Sequence, residues 1–235
     1  MRRGIVFGTC PICERRTFFY KTGSWLRDQF HCARCQSLPR QRALLSVLHK
    51  FFPNWRELEM HESSPGGPSS DKLLRECKRC VQSHWFEDTP VGTSKNGFRS
   101  ENLERQTFAD RSFDLVITQD VFEHVLRPGM AFAEVARTLK PGGAHVFTVP
   151  WFHWKSTLVR AEVEAGGAIR HVETPDYHGN PIDPNGSLVI TEWGSDLCDF
   201  IYRCSGLTTT VVHEHDRSRG IDAKFIEVFI SRAPQ

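Results

Sequence analysis

No apolar run in this sequence reaches the ~18 residues that a membrane-crossing helix requires, so a membrane span is not expected. Net charge is equally scarce. Thirty Lys and Arg stand against 28 Asp and Glu, a formal +2. That balance gives no reason to expect a large nucleic-acid footprint, although a whole-chain sum hides any local basic patch. Residues 1–9 are basic but too few for a secretory leader and run straight into cysteines. The expected location is therefore cytoplasmic, where the eight cysteines stay reduced and serve as metal ligands or buried thiols. No internal repeat is evident. With 39% apolar and 25% charged residues the chain has the composition of a folded protein, and 235 residues suffice for one α/β domain with a small appendage.

Residues 1–40 form the appendage, rich in Cys, Arg and aromatics. Cys10 and Cys13, then Cys32 and Cys35, make two C-x2-C pairs separated by eighteen residues. Each pair wraps two thiolates round one side of a metal, and together they complete a tetrahedral Zn²⁺ site, with iron as the alternative occupant. Four thiolates leave no open coordination position, so such a site is structural. Cys77 and Cys80 share the spacing, but Leu73, Leu74, Cys77 and Val81 fall on one helical face, which predicts burial. Cys198 and Cys204 are likewise expected to be buried thiols.

Residues 41–54 read as an amphipathic linking helix, and 55–235 as the main domain. The run 113–118 (FDLVIT) is apolar and β-branched, as in a buried parallel strand. A helix is predicted over 128–139, opened by Pro128 and carrying Met130, Phe132, Val135, Ala136 and Leu139 on one side. A strand at 144–149 completes a βαβ unit with a right-handed crossover. Residues 151–190 are long and polar, with a short helix expected at 157–164, and read as an active-site cover or substrate loop. A helix at 195–204 and strands at 207–213 and 224–231 predict an antiparallel pair at the sheet edge.

The run 108–150 (FADRSFDLVITQDVFEHVLRPGMAFAEVARTLKPGGAHVFTVP) closely resembles the central motifs of class I S-adenosylmethionine-dependent methyltransferases. The resemblance implies a Rossmann-like, three-layer α/β sandwich with a mostly parallel sheet; the small zinc-ribbon-like module at the N-terminus lies outside that common core. HESSPGG (61–67) with the later HGNP (178–181) is similar to a bacterial subgroup associated with glycan gene clusters. The resemblance puts the cofactor loop after a first strand near residues 58–60, at Glu62, Ser63, Ser64, Gly66 and Gly67. The usual acidic-x-glycine-x-glycine pattern is absent there. Beyond a first helix at 70–80 and a second strand at 81–86, Glu87 or Asp88 is implied to accept the ribose hydroxyls. Asn102 and Leu103 are implied to face the adenine. Gln119, Asp120 and His124 follow the fourth strand, with Asp120 toward the methionine end; Glu123 and His124 open the next helix, where Glu123 reads as a capping acid.

For a hydroxyl acceptor, methyl transfer needs donor and acceptor aligned and a proton removed. His178 is the first candidate base, since a glycine- and proline-punctuated loop offers little packing reason for a histidine; His153 and Asp120 follow. Trp151, His153 and Trp193 are candidate walls of an acceptor pocket. The reading is methyl transfer to a small-molecule or saccharide acceptor. Two alternatives stand beside it: a non-catalytic binding protein, favoured by the missing glycine pattern, and an RNA-directed enzyme using the Arg- and aromatic-rich module.

Overall fold

The computed structural model describes residues 5–179 and 183–235; Arg2 and Arg3, and Asn180 and Pro181 of HGNP, lie outside the described residues. The N-terminal module is a three-stranded antiparallel sheet, β1 (Ile5–Thr9), β2 (Arg16–Lys21) and β3 (Phe30–Cys32), with a short helix α1 (Leu26–Gln29) before β3. Helix α2 (Pro39–Phe51) follows. The main sheet is built from β4 (Glu59–Ser63), β5 (Arg79–His84), β6 (Ser94–Lys95), β7 (Phe98–Ser100), β8 (Phe113–Gln119), β9 (Leu139–Thr148), β17 (Thr208–Val212) and β18 (Val228–Arg232). Their spatial order is β17-β18-β9-β8-β4-β5-β7-β6. From β7 through β9 the neighbours pair in parallel, while β18 runs antiparallel to both β9 and β17. The expected antiparallel pair at the C-terminal edge is therefore present.

Strand order reverses between β4 and β8, so the chain leaves these neighbours in opposite directions and opens a crevice at their carboxyl ends. The register sets Ser63 level with Ser83 on β5 and with Thr118 on β8. Residues Leu115 to Thr118 of β8 are wholly buried, as the apolar run predicts for a strand covered on both faces. One face packs α2, α3 (Gly67–Glu76) and the cysteine module through Leu44, Leu48, Leu73, Leu115, Val146 and Ile230. The other packs α4 (Pro128–Thr138) and α5 (Leu197–Ser205) through Phe132, Val135, Phe147, Trp193, Leu197 and Phe229. This is the three-layer α/β sandwich. No helix among the described residues is long and apolar enough to cross a membrane.

Several local expectations are corrected. Residues 157–164 are extended, contributing β11 (Leu158–Val159) and β12 (Ala161–Val163). With β10 (Trp151–Phe152), β13 (Ile169–His171), β14 (Tyr177–His178), β15 (Ser187–Leu188) and β16 (Thr191–Gly194) they form small ladders over the sheet end. Helix α3 starts three residues before the expected 70, because Gly67 and Pro68 already suit a first turn. Cys77 is buried as expected, but Leu74 and Val81 are exposed, since β5 begins at Arg79 and breaks the helical face. Met130 is also exposed, one position off the stripe of Ala131, Phe132 and Val135.

Two histidines lie wholly inside the sheet layer. His61 Nε2 meets Ser83 Oγ at 2.8 Å and His145 Nε2 meets Thr118 Oγ1 at 2.9 Å. Burial drives both well down, to about 3, with Arg99 adding to the effect on His61 and His61 to that on His145. Both are neutral in the fold and protonate more readily once unfolded. Their stabilising contribution is thus complete above ~6.5 and is lost as pH falls toward 3. Thermal melts are expected to show stability dropping below pH 6.5, by about 1.4 kcal/mol per pH unit for each histidine. H145F should flatten that slope; an unchanged slope would refute the assignment.

Candidate active site and cysteine centre

The crevice at the carboxyl ends of β4, β5 and β8 holds a cavity of about 730 Å³. Its floor is the turn after β4, where Ser63, Ser64, Gly66 and Gly67 face the cavity. Ser64 sits at φ +55°, in the left-handed region where glycine is the usual occupant, and its N–H donates to Ser83 O at 2.8 Å. Glu62, Ser64 and Gly66 thus occupy an acidic-x-glycine-x-glycine frame whose first glycine has been replaced by a serine that keeps the backbone turn. Gly67 stands at φ +74°, which favours glycine; a Cβ there would come 2.6 Å from the end of the Gln41 side chain and displace it.

Glu62 does not reach the cavity. It ends β4 wholly buried, where Ser70 Oγ donates to it at 2.6 Å, Gln82 Nε2 at 2.8 Å and Gln119 Nε2 at 3.3 Å. Ser70 also accepts from the Gly66 N–H at 2.8 Å, so Glu62 braces the turn from behind. Burial pushes its carboxyl upward, against these three donors. Gln119 lines the cavity itself and is fixed by Ser69 Oγ at 3.1 Å.

After β5, Trp85 and Glu87 face the cavity, whereas Asp88 turns out to solvent and pairs with Lys95 at 2.5 Å. Of the two candidate acids only Glu87 is at the site. Asn102 and Leu103 line the wall beyond β7, with Asn102 Oδ1 accepting from the Glu104 N–H at 2.8 Å.

Beyond β8, Asp120 lines the cavity at φ +54°, but its carboxylate is fully engaged. Arg27 of α1 donates to Oδ1 at 2.7 Å, Arg40 of α2 meets Oδ2 at 2.8 Å, and Thr148 Oγ1 donates at 2.9 Å. Burial opposes the charge, yet the two guanidinium groups overcome it and hold the carboxyl down at about 2. A carboxylate so held by two guanidinium groups is poorly suited to take up a proton and well suited to tie α1 and α2 to the end of β8. Arg40 and Gln41, in the first turn of α2, themselves line the cavity; the helix read as a linker is part of the wall.

The segment 151–190 closes the opposite side, with Ile169, Gly179, Leu188 and Ile190 facing inward. It is pinned to the turn after β8. The N–H groups of Ile190 and Thr191 donate to Glu123 O at 2.7 and 3.1 Å, and His124 Nδ1 meets Leu188 O at 2.9 Å. His124 lines the cavity, and His178 lies against it with ring centroids 5.0 Å apart. Beneath them Glu123 is 1% exposed, and neither carboxylate oxygen has a hydrogen-bond partner among the described residues. Burial, and then the Asp120 charge, push its carboxyl well up. His153 is not part of this group: it is exposed and packs between Trp151 and Trp154, away from the cavity. Trp193 is core, packed on Phe132 and Phe200, and Trp151 sits against Phe229.

The four N-terminal cysteines converge. Their sulfurs all lie within 4.8 Å of one another, with Cys10 and Cys35 Sγ 3.7 Å apart. A tetrahedron of 2.3 Å zinc–thiolate bonds has an edge of about 3.8 Å, so the set fits the metal. Each knuckle turns identically: Glu14 and Gln36, directly after the second cysteine of each pair, take φ +55° and +57°. Arg42 lies wholly buried beneath the cluster and bonds only carbonyls and a hydroxyl, including Phe30 O and Gly220 O, each at 2.7 Å. Burial lowers it to about 10, and the four cysteines are the groups that favour its charge. A dianionic metal–tetrathiolate centre would supply a counter-charge to Arg42, which has no acidic partner among the described residues. Gly220 is at φ +70°, where any Cβ would meet the Phe19 ring at 2.4 Å, so the 213–227 loop is seated directly on the module.

Known proteins share the fold. A family model described as a methyltransferase domain matches residues 70–147. Over those residues, from α3 to β9, the chain is similar to a methyltransferase domain. An S-adenosylmethionine-dependent methyltransferase from Mesorhizobium loti superposes with a TM-score of 0.52 at 15% identity, covering 81% of this chain and 97% of its own. The PH0226 protein from Pyrococcus horikoshii gives 0.50 at 16% identity, covering 83% and 90%. At these identities the likeness is one of fold. No curated protein matches the chain.

Arg27, Arg40, Gln41 and Glu123 are the site residues that sequence patterns did not single out for these places. Only the position of Arg40 and Gln41 just after Pro39, at a helix start, hinted at a role.

Proposed function

We propose that the enzyme transfers the S-adenosylmethionine methyl group to oxygen or nitrogen of a small-molecule or glycan acceptor. The observation that carries this is the covered cavity, with the turn of Ser63 to Gly67 on one side and His124 and His178 on the other. In this reading the methionine portion lies along Ser64, Gly66, Gly67 and Gln119, and Glu87 takes the ribose hydroxyls. Asn102 and Leu103 hold the adenine, and His124 borders the reacting end. The retained backbone turn at Ser64 supports cofactor binding over a non-catalytic domain. The 151–190 cover, which shuts one side of the cavity, suits a compact acceptor better than a long nucleic acid. The cysteine module holds a structural Zn²⁺ and presents Arg27 to the site.

Calorimetry with S-adenosylmethionine and S-adenosylhomocysteine tests the core of the reading, and micromolar binding is expected. No binding of either to the metal-loaded protein would refute it. E87A should weaken S-adenosylmethionine binding by about ten-fold or more, through lost charge-assisted hydrogen bonds, while D88A leaves it unchanged. Equal effects would remove Glu87 from the ribose site. His178 carries the proton removal for a hydroxyl acceptor. H178A is expected to lower kcat by about 10²-fold or more with cofactor affinity intact; joint loss of both would mark His178 as a loop-ordering residue.

A further inference from the structure

We propose that Glu123, His124 and His178 form a second metal site, for a divalent first-row cation with zinc foremost, on the wall of the same cavity. One ligand atom from each residue lies within 4.8 Å of the others. Glu123 Oε1 is 3.9 Å from His124 Nε2 and 4.0 Å from His178 Nδ1. Tetrahedral ligands on bonds of ~2.1 Å stand about 3.4 Å apart, so each Glu123–histidine distance needs to shorten by only about half an ångström. His178, partly exposed on β14, has the freedom to do so.

The donor set is what such a cation selects: two imidazoles and one carboxylate, leaving coordination positions open. The supporting bonds also match. His124 Nδ1 is taken up by the Leu188 carbonyl, which fixes the tautomer and turns the Nε2 lone pair toward Glu123. A carbonyl on the remote nitrogen is the usual brace of a metal-bound histidine.

Glu123 supplies the independent reason to expect a ligand. A carboxylate 1% exposed, with both oxygens unpartnered among the described residues, is costly unless something pairs with it. The two nearby arginines favour its charge through space but make no hydrogen bond to it. Arg27 and Arg40 are engaged by Asp120, and Arg40 additionally by Asp28. A cation between Glu123 and the two rings resolves the deficit. His124 lines the cavity, so the open positions are within reach of an acceptor oxygen.

The inference rests on the methyl-transfer reading of this cavity and makes His178 a ligand there in place of a free base, but ion binding can be counted without turnover. Cobalt(II) is loaded into the purified full chain and counted by elemental analysis and absorption. Two ions per chain are expected: one with intense thiolate charge-transfer bands from the cysteine centre, one with weak ligand-field bands only. E123Q and H178A should each bind a single ion, keep the thiolate bands and still bind S-adenosylhomocysteine, which shows that the fold survives. Wild-type protein saturating at one ion with thiolate bands would overturn the proposal, as would two ions retained in both variants. A second ion in a chain that fails to bind S-adenosylmethionine would sink the methyltransferase reading and leave the site standing.

Discussion

D120N is expected to cost the protein about 3–5 kcal/mol of stability, one of the largest single-substitution effects in the chain. The reason lies in what is left behind. The Arg27 side chain is 8% exposed and its charge is met by Asp120 Oδ1, while Arg40 takes the other oxygen. Asparagine preserves shape and one acceptor but removes the charge, stranding a buried guanidinium. For a domain of this size the loss corresponds to a fall in Tm of about 10 °C. The clamp joins the module and α2 to the carboxyl end of β8, so cofactor affinity should fall with stability. A double-mutant cycle with R27M separates the possibilities. If the pair is the cause, R27M/D120N loses far less than the sum of the single changes. A catalytic base at Asp120 would instead give a D120N protein of normal Tm and cofactor affinity with only turnover lost.

Asp120 also shows what sequence could and could not reveal. Its placement after the fourth strand was legible, because FDLVIT is apolar on both faces and the turn after it must open at the sheet end. Its partners were not: Arg27 precedes it by 93 residues, and no local pattern links them. Helix α2 repeats the lesson. Apolar spacing reveals that a helix buries one face but not which surface receives it, so a helix that packs on the sheet and walls the cavity read as a linker. Over 157–164 the small ladders have two or three residues each, and their conformation comes from partners such as Thr191 and Glu192. Glu123 read equally as a capping acid; burial beneath the cover segment, a tertiary event, is what sets it apart. By contrast the cysteine pairs and the central βαβ unit were legible because each is defined by spacing within a short stretch.

Removing the proposed metal from the cysteine centre is expected to unseat the module and weaken the active site at once. With the ion present, four thiolates share a 2+ charge, and the residual negative charge faces Arg42. C10S or C32S takes away a ligand, and the remaining thiolates then protonate or repel. Arg42 keeps its hydrogen bonds to Phe30 and Gly220 carbonyls but loses the thiolate charge that offsets its own in a fully buried place. Phe19 and Phe30, packed against that guanidinium, belong to the same apolar cluster as Leu115 and Val146 of the central strands. Destabilisation therefore spreads into the domain core. The route to the site is shorter still: Arg27 sits three residues before β3, whose last residue is Cys32. Each variant should lose about 10 °C or more in Tm and bind S-adenosylmethionine at least about ten-fold more weakly, measured by scanning calorimetry and titration on metal-analysed protein. If the module merely adorned the fold, a C10S protein without metal would bind the cofactor as tightly as wild type. Absorption of the native centre separates its occupants, since zinc is colourless and an iron tetrathiolate is not.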